Sequence, residues 1–574
     1  MSLFRVWAPG ARELAVMVHG RSLALERGEG GWWSAEVAET RPGDDYAFRV
    51  DGEGPFPDPR SAWQPQGVHG PSRLVDHAAF RWSDGGWRAG PLEAAVLYEA
   101  HAGTFSPLGT FASAIPYLDH LVALGITHLE LMPVAAFPGR HGWGYDGVAL
   151  FAPHEPYGGP QGLKQLVDAC HARGLAVILD VVYNHLGPSG NYLGRFGPYF
   201  TSRYQTPWGP ALNLDGPDSD EVRRYLCDNA VQWLRDYHLD GLRLDAVHAL
   251  ADASAEPFLE QLAREVDELE AALERPLVLI AESDLNDPRL VRPREAGGFG
   301  LHAQWSDDFH HALHAWLTGE REGYYADFGR LADVARALEH AYVLTGGYSR
   351  HRRRRHGRPA CGLSGHRFLA YAQNHDQVGN RPAGDRLGAV LSEGQLRIAA
   401  ALVFTSPFLP LLFQGEEWGA RTPFPYFTDH DDPELARAVG AGRRREFAAL
   451  GRSEVPDPQD PETYRSARLD WSEPERPPHA GLLQWHQRLI ALRRRVPELR
   501  DGRRDRLGLQ FDEGGRWLRF ERGPLTVAVN AAPEPRRVPL PRPHARVALA
   551  APAPLSWDAG SVTLAADAVA ILER

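Results

Sequence analysis

Cysteine is scarce and long apolar runs are absent in this chain of 574 residues. Its three cysteines, Cys170, Cys227 and Cys361, are odd in number and far apart, so they offer neither a disulfide framework nor a zinc-binding spacing. The first residues lack a basic stretch followed by an apolar one, and no run of about 18 apolar residues follows. We therefore expect a cytoplasmic protein that neither carries a secretory signal nor spans a membrane.

An excess of positive charge is missing as well. The chain has 62 basic and 74 acidic residues, which gives a net charge of −12. Proteins that bind nucleic acid or anionic membranes need a basic face, so we predict neither partner. We interpret the basic segment 349–367 as a solvated loop. Tryptophan, in contrast, is plentiful with 16 residues, which indicates either core packing or platforms for flat ligands such as sugars.

The pattern of apolar residues divides the chain into three parts. Residues 1–90 alternate apolar and polar positions between Gly and Pro turns, which predicts an N-terminal immunoglobulin-like β-sandwich. Residues 501–574 alternate again and predict a C-terminal antiparallel β domain. In residues 91–500, short apolar runs alternate with amphipathic helical stretches, and such repeated βα units indicate a parallel sheet.

The central part contains eight candidate strands. They are residues 94–101, 126–133, 175–182, 240–247, 276–283, 301–308, 367–374 and 409–417. Eight βα units over this length favour a closed (β/α)₈ TIM barrel. A doubly wound open sheet is the alternative fold, but no glycine-rich dinucleotide fingerprint follows the first strand.

Polar residues collect where these strands end, and the carboxyl ends of barrel strands carry the active site. In chain order they are Trp143 and Tyr145, then Asp180, Asn184 and His185, then Arg243, Asp245 and His248, then Glu282, then Asp307, Asp308 and His310, and finally His375 and Asp376. A single carboxylate at such a place is often a helix cap. Five acidic strand ends in one mouth would shift one another's pKa values, a cost usually tolerated only for function.

The residue types at this mouth favour glycoside chemistry. The sequence has no nucleophile elbow, no P-loop and no H-E-x-x-H pair at these strand ends. Arg243 and Asp245 are two residues apart on one face of a strand, so the cation would lower the pKa of Asp245 and keep it a nucleophile. Glu282 ends an apolar strand, where a raised pKa suits a general acid. Asp376 is left to bind substrate hydroxyls.

The remaining predicted contacts are to the sugar itself. His185 and His375 can donate hydrogen bonds to sugar hydroxyls, and the rings of Trp143 and Tyr145 can stack on the apolar face of a pyranose. We therefore predict three acids, of which Asp376 also supports positive charge on the distorted ring, surrounded by residues that hold the sugar.

The segments DVVYNH, GLRLDAVH, IAES and QNHDQ, in this order, resemble the four sequence blocks of the α-amylase superfamily of retaining α-glucan enzymes. The resemblance implies that Asp245 is the nucleophile, Glu282 the acid/base and Asp376 the stabiliser of the transition state. It implies that Arg243, His185 and His375 surround the attacked glucose, with Asp180 as a structural support. Asn184 matches a calcium-binding residue of some relatives, but we predict no metal and no cofactor.

Longer segments, among them YEAHAGTFSPLGTF and YFTDH, resemble the superfamily members that release trehalose from maltooligosyltrehalose. By that analogy Asp307, Asp308, Phe309 and His310 line the leaving-group side, and His248, Gln377 and Asn380 contact substrate. The expected partners are maltooligosyltrehalose and related α-glucans. Two alternatives stay open: an α-1,4-glucan branching enzyme on the same scaffold, and an inactive glucan-binding protein, although the latter should have lost part of the acid set.

Overall fold

Eight parallel strands close into a barrel in the computed structural model of this chain, which confirms the predicted TIM-barrel fold. The structure describes residues 1–448, 455–552 and 555–574; residues 449–454 and 553–554, which fall in the predicted ranges 91–500 and 501–574, lie outside this description. The barrel strands are Leu97–Ala100, His128–Leu131, Ala176–Val181, Gly241–Leu244, Val278–Ala281, Ala303–Trp305, Phe368–Ala370 and Leu409–Phe413. Each lies within one of the eight predicted segments.

Alternation along the strands divides the side chains between the barrel interior and the surrounding helices. Leu242 and Leu244 belong to the large core shared with the helices, as expected from their positions. Arg243, between them, is fully buried and lies opposite Asp180 on one neighbouring strand and Ile280 on the other. Apolar residues such as Ile178 and Ile280 form a separate core, so the barrel is packed.

Helices surround the barrel, and local signals set several of their ends. The longer ones are Leu118–Leu124, Gly159–His171, Ser219–Asp236, Phe258–Leu273, Asp307–Thr318, Leu331–His340, Glu393–Thr405, Pro433–Ala448 and His479–Arg495. Gly125, with φ of 102°, ends the first of them and turns the chain into the second barrel strand. Ser392 and Gln395 form a reciprocal capping box at the start of Glu393–Thr405.

Two antiparallel sheets form the N-terminal part of the chain. Their strands are Ser2–Trp7, Leu14–Val18, Arg21–Ala24, Glu26–Arg27, Trp32–Val37, Asp45–Val50, Glu53–Phe56 and Ser72–Arg73. The segment that follows reaches the barrel helices through polar contacts. Arg60 Nη1 donates to Asp228 at 2.7 Å, and Trp63 Nε1 donates to Glu155 at 2.5 Å.

Two further antiparallel sheets form the C-terminal part. Their strands are Gln510–Asp512, Trp517–Arg522, Leu525–Asn530, Arg536–Pro539, Arg546–Ala551, Ser556–Trp557, Ser561–Leu564 and Ala568–Glu573. Ser392 Oγ donates to Asp567 at 3.0 Å and so links a barrel helix to these sheets. Across the described parts of the chain, no helix combines the length and the apolar character needed to cross a membrane.

A buried ionic cluster fastens the linker before the barrel to the strand ends opposite the catalytic mouth. Asp240 precedes the fourth strand and accepts hydrogen bonds from Trp87 Nε1 at 2.8 Å, His171 Nε2 at 2.9 Å and Val177 N at 2.8 Å. His171 also donates to Asp84 at 2.8 Å. Burial opposes the charge of His171, but the hydrogen bonds to Asp240 and Asp84 outweigh it and raise the pKa of the imidazole.

We expect Asp240→Ala to lower the free energy of unfolding by about 3 kcal/mol or more, because the buried, charged imidazole of His171 then loses one of its two carboxylate partners. Asp119→Ala, which removes a 75% exposed partner of Arg173, should cost less than about 1 kcal/mol. Melting temperatures of both variants check this. Since the raised pKa of His171 means that the ion pair is lost as pH rises through that value, the Asp240→Ala deficit should shrink in alkaline buffer. Equal melting temperatures for the two variants would contradict the assignment.

Candidate active site

A cleft of about 780 Å³ opens at the carboxyl ends of the barrel strands. Nine of the predicted site residues line it, and the structure therefore brings these together: Trp143, Tyr145, His185, Asp245, His248, Glu282, His375, Asp376 and Asn380. Residues outside the predicted contact set complete the wall: Asp146, which follows Tyr145 in the polar segment after the second strand, and Pro207, Trp208, Ala246, Tyr426, Val439, Gly442, Arg443 and Glu446.

Arg243 lies beneath the cleft floor and joins the acids of two strands. Its Nη1 donates to both carboxylate oxygens of Asp180 at 2.8 Å and to Asp245 Oδ1 at 2.7 Å. The guanidinium carbon is 4.3 Å from the centre of the Trp305 ring. Asn184 Nδ2 donates to the second oxygen of Asp245 at 2.9 Å. Asp245 is thus held by a cation and an amide donor, which together fix the direction of its carboxylate.

Glu282 lines the same cleft but lies farther from Arg243 than Asp245 does. Its Oε2 lies 3.7 Å from Arg243 Nη2 and accepts a hydrogen bond from Ala246 N at 2.5 Å. Ala246 has φ of 38°, a strained backbone conformation for a residue with a Cβ, and this directs its N–H to Glu282. Burial raises the pKa of Glu282 well above its usual range, which Arg243 only partly offsets. The nearby charge of Asp245 raises it further.

A hydrogen-bonded chain connects the first barrel strand with the seventh and third. Glu99 accepts from both the backbone N and the Nδ1 of His375. Tyr145 donates its hydroxyl to Asp180 at 2.7 Å, so His375 Nε2, at 2.8 Å, is the donor to Tyr145. Burial opposes the charge of His375, but Asp376 and Glu99 raise its pKa to about 9. Both N–H groups of His375 are used within the protein here, and its predicted contact with a sugar stays a prediction.

Four predicted contact residues lie away from the cleft. Asp308 Oδ2 accepts from Asn286 and from the backbone N–H groups of residues 343 and 344, at 2.7–2.9 Å. Phe309 packs against the ring of Phe408. His310 contacts the Ala372 carbonyl and the Tyr325 hydroxyl, and Gln377 closes the capping box of the helix His375–Gly379. The structure does not bring Asp308, Phe309, His310 and Gln377 to the cleft wall, because their side chains are buried in the protein interior, and their predicted substrate contacts stay predictions.

Asp307 remains near the acids although its neighbours turn away. It accepts a hydrogen bond from the Tyr371 hydroxyl. Burial raises the pKa of Asp307 to about 7, and the charges of Asp284 and Asp376 contribute to the increase. Asp284 in turn accepts from Arg352, whose side chain is only 12% exposed. The interpretation of residues 349–367 as a wholly solvated loop is therefore wrong for Arg352, which neutralises an acid beside the cleft.

The aromatic residues of the cleft stack on neighbouring rings, and the predicted sugar contacts of Trp143 and Tyr145 stay predictions. Tyr145 stacks on His375 with ring centres 5.2 Å apart, and Trp143 stacks on Phe424 at 5.3 Å while its Nε1 donates to a backbone carbonyl. Trp208, from the hairpin Phe200–Thr206 and Gly209–Leu212, stacks on His185 at 4.2 Å and is 51% exposed. Its indole is therefore accessible from the cleft.

Two residues of the site, Glu99 and Arg443, are missing from the prediction. Glu99 lies in the buried first strand, and a charged residue in an apolar run is the same signal that indicated Arg243 and Asp245. Arg443 lies on the helix Pro433–Ala448, after the last barrel strand, and no local pattern points from there to the cleft.

Metal and cofactor predictions stay predictions. Within residues 1–448, 455–552 and 555–574, no three His, Cys, Asp or Glu side chains are arranged to hold a metal ion. Asn184, the position that binds calcium in some relatives, is used here to hold Asp245.

A closed parallel barrel with a buried arginine and two carboxyl groups beside it at its mouth is the arrangement of a glycoside hydrolase of the α-amylase superfamily. A family model described as the alpha amylase catalytic domain matches residues 78–206. The crystal structure of a Salmonella typhimurium protein assigned to the alpha amylases superposes with a TM-score of 0.92 and 37% identity, covering 100% of this chain and 97% of that one.

The comparison with curated proteins is more specific. A malto-oligosyltrehalose trehalohydrolase of Arthrobacter ramosus is 56% identical over 93% of this chain and 94% of its own length. One from Saccharolobus solfataricus is 43% identical over 90% of this chain and 88% of its own. The chain belongs to the malto-oligosyltrehalose trehalohydrolase family.

We expect Glu282→Gln to lower kcat by about 100-fold or more while substrate binding survives, because the amide keeps the shape but has no proton to give. In the wild type, kcat/KM should fall as pH rises through the raised pKa of Glu282, since the protonated form is the active one. Steady-state rates across pH check both points. Asp307→Asn is the control, because the pKa of Asp307 is raised as well, and this variant should still show the fall of kcat/KM with rising pH. If the fall is lost in Asp307→Asn, the group that titrates is Asp307 and not Glu282.

Glu99→Gln should lower kcat/KM by about tenfold or more, since His375 then loses a negative partner and with it part of its charge. Glu130→Gln provides a matched control. Glu130 faces Glu99 across the neighbouring strand, and burial raises its pKa well above the usual range, so it is already neutral. The measurement is kcat/KM of both variants at neutral pH. A similar loss in both would show that the change of side chain in the barrel interior, and not the lost charge of Glu99, is responsible.

Proposed function

We propose that this enzyme hydrolyses the α-1,4-glucosidic bond next to the terminal trehalose of maltooligosyltrehalose and releases trehalose and a maltooligosaccharide. The observation that supports it best is the pair formed by Asp245, in contact with Arg243 at 2.7 Å, and the buried Glu282. One carboxyl is stabilised as an anion and the other as an acid. Membership of the trehalohydrolase family over almost the full chain supports the substrate.

The proposed reaction has two steps at one anomeric carbon. In the first, the Asp245 carboxylate attacks the anomeric carbon, the glycosidic bond breaks, and Glu282 gives its proton to the departing oxygen of trehalose. In the second, Glu282 removes a proton from water, the water oxygen bonds to the same carbon, and the ester bond to Asp245 breaks. Two displacements keep the α configuration at the new reducing end.

The surrounding residues have supporting roles in this proposal. Both carboxyls lie on one guanidinium, at 2.7 Å for Asp245 and 3.7 Å for Glu282, which favours the short carboxyl separation of retaining enzymes. Asp376, with its side chain 44% exposed in the cleft, binds hydroxyls of the distorted sugar. Trp208 stacks on a pyranose face, and His248 and Asn380 contact the glucan chain.

We also propose a partner and a compartment. The enzyme binds α-glucans that end in trehalose. It acts in the cytoplasm, a reducing compartment in which proteins fold without disulfides. An α-1,4-glucan branching enzyme would use the same acids, because they do not distinguish water from a sugar hydroxyl as the acceptor. Product analysis separates the two activities.

Incubation with maltotriosyltrehalose should give free trehalose and maltotriose, whereas maltopentaose of equal glucose content should give far less product. Proton NMR should first detect the α anomer at the reducing end of maltotriose. New α-1,6 links in amylose without trehalose from the first substrate would instead identify a branching enzyme, and an initial β anomer would exclude the covalent intermediate.

A further inference from the structure

We propose that Arg443 is a positioning residue for Asp376, acting through Asn380 from a helix that covers one side of the cleft. The helix Pro433–Ala448 follows the last barrel strand. Its residues Val439, Gly442, Arg443 and Glu446 line the cleft, and this spacing of three, four and seven residues places them on one helical face. The inference rests on the proposed function only in assigning Asp376 to the transition state.

Asp376 is weakly held by its own contacts. Its side chain is 44% exposed, and its Oδ1 lies 3.4 Å from Asn380 Nδ2 and 3.5 Å from His375 Nε2. These are long contacts for hydrogen bonds, so the direction of the carboxylate depends on the backbone that carries it. That backbone is the short helix His375–Gly379 and the residue after it, Asn380.

The two ends of this short helix are fixed differently. At its beginning, Asn374 accepts from the backbone N of Asp376 at 2.9 Å. At its end, Arg443 Nη2 donates to the Gly379 carbonyl at 2.8 Å and Nη1 reaches Asn380 Oδ1 at 3.3 Å. A cation that binds the last carbonyls of a helix satisfies their free lone pairs and complements the helix dipole.

The guanidinium is itself held in place. Its carbon lies 5.0 Å from the ring centres of both Tyr426 and Phe447, and the side chain is 15% exposed. The helix that it caps packs closely on Trp143, because a Cβ added at Gly379 would come within 1.9 Å of that ring. Arg443 thus joins this helix to Pro433–Ala448, and its fork sets the position of Gly379 and Asn380 and, through them, of the Asp376 carboxylate.

The variant Arg443→Met tests this, because it keeps the stem against Tyr426 and Phe447 and removes the donors. We expect kcat to fall by about 10- to 100-fold with KM within about threefold, since a displaced carboxylate weakens the transition state more than the bound substrate. Arg443→Lys should restore part of kcat. Arg445→Met, at an exposed site on the same helix, should leave the rates unchanged.

A double-variant comparison separates positioning from general support of the fold. If the effect passes through Asn380, Arg443→Met should have little further effect on kcat in an Asn380→Ala background. Multiplicative losses, a KM effect alone, or a kcat within twofold of the wild type would overturn the proposal. If Arg443→Met has a lowered melting temperature, the kcat values of Arg443→Lys and Asn380→Ala test the proposal in its place.

Running each assay on maltotriosyltrehalose and on 4-nitrophenyl α-maltotrioside keeps the two proposals distinct. Trehalose release by the wild type tests the proposed function. The ratio of variant to wild-type kcat on either substrate tests Arg443, since Asp376 serves the same step on both.

Discussion

The burial of one guanidinium is the constraint on which the catalytic mouth depends. Arg243 is fully buried in the barrel, and a cation there costs several kcal/mol unless anions surround it. Asp180 and Asp245 supply those anions at 2.7–2.8 Å, and Trp305 covers one face of the group. The polar layer at the mouth is therefore required by the barrel's own electrostatics as much as by its chemistry.

Asp245 and Glu282 lie at unequal distances from Arg243, and this gives the two carboxyl groups different environments. Asp245 is in direct contact, whereas Glu282 is 3.7 Å from Nη2, a nitrogen with no hydrogen-bond partner among the described residues. The near acid is bound directly by the cation, and the farther one keeps a raised pKa through burial. When Glu282 gives up its proton, the nearby cation limits the cost of the new charge. One residue therefore permits an anion and an acid in the same cleft.

Much of this could be predicted from the sequence because the relevant rules are local. A period of two along a strand separates Leu242 and Leu244 from Arg243, and the carboxyl ends of parallel strands must share one mouth. Phe309 and His310 could not be placed this way, since Asp307 begins a helix in which successive side chains rotate by about 100°. Neighbours of a cleft residue along a helix then point into the core. Arg443 reaches the cleft by tertiary packing alone.

The catalytic cleft is built from two kinds of segment. Glu99, Asp180, Arg243 and Glu282 lie in or directly after barrel strands, where backbone pairing leaves little freedom. Trp208 lies in a hairpin and Arg443 in a helix, both outside the barrel sheet. A half-exposed indole and a helix face can change without disturbing the buried charges, because no hydrogen bond of Arg243 reaches them. The barrel layer thus holds the acids of the reaction, and segments outside the barrel sheet supply further side chains to the same cleft.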